Sequence, residues 1–191
     1  MEEHSDLGVK ILQESGNFAE LTHRIVAEHH ERIDGSGYPL RRCVGQISRF
    51  SQVVAIVDAY DDMVMGRDQT PLQPVDALRQ LHRQSEAGAL DGELVQRVIR
   101  CLGVYPVGSL VELNNGERGV VIAPNRSDGL RPTLRIISSR NGLDLPHGPI
   151  VNLAETDSRS GDRQIFRALN PVKEQVNVWS YLRLAPAISG R

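Results

Sequence analysis

The sequence is short of most features that would mark an unusual protein. Only two cysteines occur, Cys43 and Cys101, and neither has a second cysteine at metal-knuckle spacing. That excludes a disulfide framework and a cysteine zinc knuckle, and fits reduced thiols in a cytoplasmic protein. No uninterrupted apolar run approaches the ~18 residues a membrane span needs, so no membrane segment is expected. The N-terminus, MEEHSDLGVKILQES, is acidic where a secretory leader is basic, and it reads as a helix already under way. An excess of one charge is lacking too: 22 basic against 24 acidic residues leave a net charge of −2. Nothing therefore draws the chain toward a nucleic acid polymer or an anionic membrane, and a phosphate-bearing ligand would need a local site. What remains is an ordinary globular composition, 40% apolar and 24% charged, over 191 residues. That length suits one large domain or two small ones.

The pattern changes character near Gly103-Val104-Tyr105-Pro106. Upstream it is helical. His4, Leu7, Gly8 and Ile11 recur at helical spacing, and Ser15-Gly16-Asn17 supplies a stop and then an N-cap for the next helix. Phe18, Leu21, Ile25 and His29 line one face of that second helix. A third helix, from about Gln46 to Met65, is apolar nearly all round through Phe50, Val53, Val54, Ile56, Val57 and Tyr60, which predicts burial. Shorter helices are expected near Pro74 to Arg83 and Asp91 to Leu102.

Downstream the period is two. Val107, Leu110, Val111 and Leu113 precede the turn Asn114-Asn115-Gly116, and Val120 to Ile122 follow it. Thr133 to Ile137 and Pro149 to Leu153 add two candidate strands. The stretch after Asp157, rich in Ser, Arg and Gly, reads as a looser tail, with Val176 to Leu184 either a strand or a short helix. The expected fold class is α+β: an all-α bundle over residues 1–103, then a small β-rich barrel-like or sandwich-like domain over 104–191.

The chemistry gathers in the first part. His29 and His30 are adjacent at the end of the second helix. Consecutive helical side chains diverge by about 100°, so these imidazoles cannot share one narrow face but can straddle two neighbouring metal ions. The alternative is a core histidine beside a surface one. Asp58 and Asp61 lie three residues apart, on one side of a helix expected to be buried. A carboxylate in apolar surroundings needs compensation, by a cation, by N–H groups, or by an arginine such as Arg49 or Arg67. Imidazoles with carboxylates form the donor set of manganese, iron and zinc sites. Between them, Asp34-Gly35-Ser36-Gly37-Tyr38-Pro39 must be a loop. Gly35 and Gly37 permit close backbone approach, so its N–H groups can face a phosphate, and the Tyr38 ring can meet a base.

HHERIDGSGYP at 29–39, followed by VVAIVDAYDDMVMGRD at 53–68, resembles the second half of the HD-GYP domain over roughly Met1 to Leu102. HD-GYP proteins are bacterial signal-transduction hydrolases, metal-dependent phosphodiesterases of cyclic di-GMP. The resemblance implies two or three divalent metal ions, iron or manganese, in a helical bundle. His29 and His30 would be ligands to different ions, with Asp58 and His4 as further metal ligands. Tyr38 and Arg67 would contact the nucleotide, with Gly35 and Gly37 shaping the loop around it. Asp61, Glu31 and Asp34 would support the ligands from behind.

The sequence departs from that pattern in two places. No His-Asp dipeptide occurs in it. The upstream His-Asp dyad, Glu and His of the family would all precede Met1. A basic residue expected shortly after Arg67 is replaced by Asp68-Gln69-Thr70-Pro71. The expectation is therefore a cyclic di-GMP phosphodiesterase by family. The alternative is a catalytically incomplete HD-GYP remnant that binds partners such as diguanylate cyclase domains. From VYPVGSLVELNNGERGVV onward the chain resembles the C-terminal extension some HD-GYP proteins carry, which implies no chemistry. His147, between Pro146 and Gly148, is expected in an exposed loop.

Overall fold

A computed structural model describes residues 3–66, 70–155 and 163–182. The chain divides into two units, Met1–Leu72 with Asp76–Ile99, and Gln73–Val75 with Arg100–Arg191. The first carries α1 (Glu3–Ser15), α2 (Glu20–Glu28), α3 (Arg49–Met65), most of α4 (Pro74–Glu86) and most of α5 (Gly92–Leu102). Among the described residues, no helix is long and apolar enough to cross a membrane.

Helix α1 stops where Gly16 and Asn17 both turn left-handed, at φ 68° and 58°. It meets α2 through small residues rather than large ones. Ser5 is fully buried, and a Cβ on Gly8 would come 2.7 Å from Val26 Cγ1. Leu7 and Ile11 are exposed. Helix α2 is capped by Ala19, with no side-chain hydrogen bond, and not by Asn17 as expected. Phe18 precedes the helix and is exposed, as is Leu21; the buried residue of α2 is Glu28.

Helix α3 starts later than its composition suggested, because the Ser48 hydroxyl accepts a hydrogen bond from Ser51 N at 3.0 Å and fixes the N-terminus there. Gly66, left-handed at φ 69°, ends it. The helix is not buried all round. Ser51, Ala55, Ile56 and Met63 are buried, whereas Phe50, Val53, Val54 and Val57 form an exposed stripe at i, i+3, i+4, i+7. Arg49 pairs with Glu93 of α5 at 3.5 Å, not with Asp58 or Asp61. Ala77, Leu78 and Leu81 of α4 and Leu94 and Val95 of α5 are buried, as amphipathic helices require.

The second unit is one antiparallel sheet in the order β4-β3-β2-β1-β5: β1 (Leu110–Leu113), β2 (Arg118–Ala123), β3 (Thr133–Ser138), β4 (Ile150–Asn152) and β5 (Ile165–Leu169). Alternation along each strand sends side chains to opposite faces. Val111, Val121, Leu134 and Ile136 join one buried cluster with Leu153. Leu110, Val120, Ile137 and Leu169 join another, onto which Tyr181 and Leu182 of α6 (Val178–Leu182) pack. Helix thus wins over strand for Val178–Leu182; 183–184 lie outside the described residues.

Strand β5 falls where a loose tail was expected. It pairs with β1 in the register Leu110↔Leu169 and Glu112↔Arg167. Ion pairs hold it there: Arg167 Nε donates to Glu112 at 2.8 Å, and Arg163 forks onto Glu117 at 2.7 and 3.1 Å. Cys43 and Cys101 are free and exposed, and His147 is exposed.

Candidate metal centre

Helix α2 delivers its histidines at its C-terminal end. Glu28 is the last helical residue and His29 is the C-cap, with ψ −13°. Its backbone is still right-handed and its N–H still bonds Ile25 O, yet both rings turn to the same place, against the expectation that they diverge. Their centroids lie 4.1 Å apart. His4 Nε2, from α1, sits 3.2 Å from His29 Nε2 and 2.8 Å from His30 Nε2. All three rings offer a nitrogen within 4.8 Å of the other two. Three nitrogens around one ion at ~2.1 Å, at right angles to one another, would stand about 3.0 Å apart. The observed spacing fits one cation.

The hydrogen-bond partners of the other ring nitrogens decide where the protons sit. His29 Nδ1 is 2.9 Å from the carbonyl oxygen of Val26, which can only accept, so Nδ1 carries the proton. His30 Nδ1 is 3.6 Å from Asp58 Oδ2, and the carboxylate favours a proton on that nitrogen in the same way. In the neutral form each ring then presents the lone pair of Nε2 toward His4. A proton on His4 Nε2 can satisfy only one of them well. Burial, then the neighbouring His29, push the pKa of His30 down to about 4, against the pull of Asp58, so His30 is a neutral imidazole at neutral pH. A divalent cation is the species that three such lone pairs suit.

The loop that follows is clamped from inside. Glu31 is 2% exposed, and its carboxylate accepts from Leu40 N at 2.7 Å and Arg42 N at 2.9 Å. Asp34 Oδ1 accepts from Ser36 N at 2.9 Å and from the Ser36 hydroxyl at 2.7 Å. Gly35 N donates to Arg32 O, and Tyr38 N to His30 O. The expectation that loop amides face a phosphate is therefore corrected for Gly35, Ser36, Tyr38, Leu40 and Arg42, whose N–H groups are used within the loop. Gly37 shows why the loop can lie so close. A Cβ there would stand 2.3 Å from Arg32 N and 2.5 Å from both Glu31 Cα and His30 O. The Tyr38–Pro39 peptide is cis, and the Tyr38 ring stacks on His30 at 4.6 Å and 27°. Beside it opens a cleft of about 600 Å³ lined by Asp6, Gly35, Ser36, Gly37, Tyr38, Pro39 and Arg41.

Glu28 and Arg32 were not singled out in the sequence. Glu28 is 1% exposed; it accepts from Ser48 N and the Ser51 hydroxyl, both at 2.8 Å, from Arg24 Nε at 3.0 Å, and from Arg42. It ties the end of α2 to the start of α3 and to the exit of the loop. Burial pushes its pKa up, but the Ser48 amide, Ser51 and Arg24 together hold it below the usual carboxylate range. Burial lowers the pKa of Arg32, opposed by Asp58, Tyr38 and Asp34. The one sequence signal was Glu28 standing four residues after Arg24 and just before the histidine pair. Asp61 is exposed on α3, beyond Asp58 and outside the imidazole cluster. Arg67 lies outside the described residues.

Residues 1–94 match the family model of the HD domain, and residues 110–175 match the KOW domain associated with the HD domain. A cyclic di-GMP phosphodiesterase of Pseudomonas aeruginosa is 29% identical over 183 residues, 95% of this chain and 42% of that protein. A cyclic di-GMP phosphodiesterase of Thermotoga maritima is 34% identical over 87 residues, 44% of this chain and 24% of its own. A 3'3'-cGAMP-specific phosphodiesterase of Vibrio cholerae is 39% identical over 62 residues, 32% of this chain and 12% of that protein. The chain thus spans less than half the length of these relatives. The helical unit carries an HD domain, and the sheet unit carries its companion KOW domain. The HHERIDGSGYP segment lies inside the stretch that matches the HD domain.

Proposed function

We propose that the protein is a divalent-metal-dependent phosphodiesterase that hydrolyses cyclic di-GMP in bacterial signalling. The observation that carries this reading is the convergence of three imidazole Nε2 atoms, with Val26 O accepting from His29 Nδ1 and Asp58 3.6 Å from His30 Nδ1. His4, His29 and His30 hold the cation. Asp58 orients His30 and adds negative charge to the centre. Iron and manganese both accept mixed imidazole and carboxylate surroundings, and the exposure of His4 leaves room for water and substrate. When bound, such a cation supplies Lewis acidity toward water and phosphoryl oxygen.

The chain's own groups do the positioning. Tyr38, stacked on His30, places a nucleotide beside the histidines, and Gly35 and Gly37 keep the loop against them. Asp34 and Glu31 hold that loop in shape. Arg67 contacts a phosphate, and Asp61 supports the α3 end of the site. Placement of this kind is worth up to about 7–11 kcal/mol of a hydrolytic barrier. Electrostatics at the cation supply the rest.

A second reading is favoured by one observation: among the described residues, the three histidines form the only cluster of three potential ligands. An HD-GYP protein holding a single ion would bind cyclic di-GMP, or dock diguanylate cyclase domains, with little turnover. Metal analysis of the purified protein combined with a cyclic di-GMP turnover assay separates the two. Metal-dependent turnover supports the enzyme; one bound ion with binding but no turnover supports the module; no metal at all sinks both.

A further inference from the structure

The cleft beside Tyr38 contains two charges that the loop chemistry leaves unused. Asp6, on α1, and Arg41, in the loop after Pro39, both line it and both are exposed. They carry opposite charge, yet neither forms an ion pair with the other or a side-chain hydrogen bond with any other described residue. Tyr38 connects the cleft to the histidine cluster, one stacking distance of 4.6 Å away.

Arg41 is held there at a cost. Its φ is 51°, in the left-handed region that favours glycine, and only Asn17 and Gln175 share this among described non-glycine residues. A strained conformation persists when its surroundings impose it, and such residues cluster where a ligand is gripped.

We propose that Asp6 and Arg41 form a guanine-reading subsite, an inference that rests on the phosphodiesterase reading above. The carboxylate decides between the two parts of a cyclic dinucleotide that could occupy the cleft. A phosphate would be repelled by Asp6, whereas a guanine base suits both side chains. Its N1–H and N2–H₂ groups donate to a carboxylate, and its O6 and N7 accept from an arginine fork. Adenine fits neither: N1 has no hydrogen to give Asp6, and the 6-amino group would face the donors of Arg41. With the amides of Gly35, Ser36, Tyr38, Leu40 and Arg42 committed inside the loop, the two charged side chains are the strongest groups left there to read a base.

The test is equilibrium binding of cyclic di-GMP and cyclic di-AMP to the full metal-loaded chain and to Asp6→Asn and Arg41→Lys. The readout is the affinity ratio between the two dinucleotides. That choice matters because removing the Asp6 charge raises affinity for any anion, whereas the ratio reports only base recognition. Wild type is expected to favour cyclic di-GMP by at least about tenfold, the discrimination one good bidentate pair provides. Asp6→Asn and Arg41→Lys should each bring the ratio toward one, Arg41→Lys because it keeps the charge and loses the fork. Arg41→Gly should lose discrimination while raising the melting temperature, since it relieves the left-handed backbone. An unchanged ratio in both Asp6→Asn and Arg41→Lys overturns the subsite and leaves the phosphodiesterase reading standing. A wild type that binds neither dinucleotide overturns both.

Discussion

Glu28 is the residue whose removal the structure prices most directly. Its carboxylate is 1% exposed and gathers Ser48 N, the Ser51 hydroxyl, Arg24 and Arg42. In Glu28→Ala the two arginines, with side chains 44% and 33% exposed, turn to water, and their loss counts for little. The Ser51 hydroxyl is buried but keeps Ser48 Oγ at 2.6 Å and Arg24 O at 3.5 Å as alternative acceptors, so the half-buried Ser48 amide is the donor left unpaired. One such donor costs about 1–3 kcal/mol, which puts the change near 2 kcal/mol. For a chain of this size that is a fall of roughly 4–8 °C in melting temperature. Glu28→Gln keeps an acceptor oxygen and should lose about half as much. Because Glu28 precedes His29 and ties α2 to α3, metal affinity should fall with stability in both variants. The pH dependence has a definite sign. Glu28 has a folded pKa below its ordinary 4.5, so its contribution is complete above that value and is lost as pH falls through the lower folded pKa. The gap between wild type and Glu28→Gln should therefore narrow in acid. Urea denaturation at pH 7 and at pH 3 measures both quantities. A Glu28→Ala protein within about 1 kcal/mol of wild type at pH 7 would refute the account of the network.

Other outcomes follow from the same geometry. Saturating manganese at a hundred times its dissociation constant should stabilise the protein by about 2.7 kcal/mol over the chelated form, visible as a thermal shift; equal melting temperatures would rule out the cluster as a cation site. His29→Ala should abolish most of the bound metal, whereas Asp58→Asn should weaken affinity by about 10–100-fold, as an outer partner does. Metal analysis across a concentration series distinguishes them, and unchanged content in both variants would disprove the ligand assignment. Gly37→Ala forces a Cβ against the backbone of His30, Glu31 and Arg32. It should cost about 1–3 kcal/mol and lower cyclic dinucleotide affinity, with melting curves and binding isotherms as the checks. Glu117→Gln breaks the fork to Arg163 in the sheet unit. It should cost about 1 kcal/mol while leaving metal content untouched, and altered metal content would contradict the confinement of the site to the helical unit.

The chemistry of the site was more legible in the sequence than its shape. Histidines next to a glycine-rich loop, with an aspartate on the following helix, carry their meaning in residue type and order. The joint orientation of His29 and His30 was not legible, because it is a meeting with His4, 25 and 26 residues away in sequence on α1. Periodicity located α3, but apolarity does not say which side is covered; Phe50, Val53, Val54 and Val57 are exposed despite reading as core. Glu28 escaped notice because its partners come from positions 24, 42, 48 and 51 and meet only in the folded chain. Strand β5 was hidden because it is a short run beside a polar stretch. What makes it a strand is pairing with β1 about 55 residues away in sequence, as between Glu112 and Arg167.

The neutrality of His30 has a consequence for how the protein takes up its ion. Cation binding at an imidazole usually competes with hydrogen ions. In His30, whose pKa lies near 4, the coordinating nitrogen is already bare at neutral pH, and its other nitrogen faces Asp58. That ring therefore has no hydrogen ion to give up when an ion arrives. Titration calorimetry at pH 7 in buffers of different ionisation enthalpy should return fewer than three hydrogen ions released per cation, and a count of three would refute this. One of the three ligand seats is thus kept open for the ion throughout the neutral range.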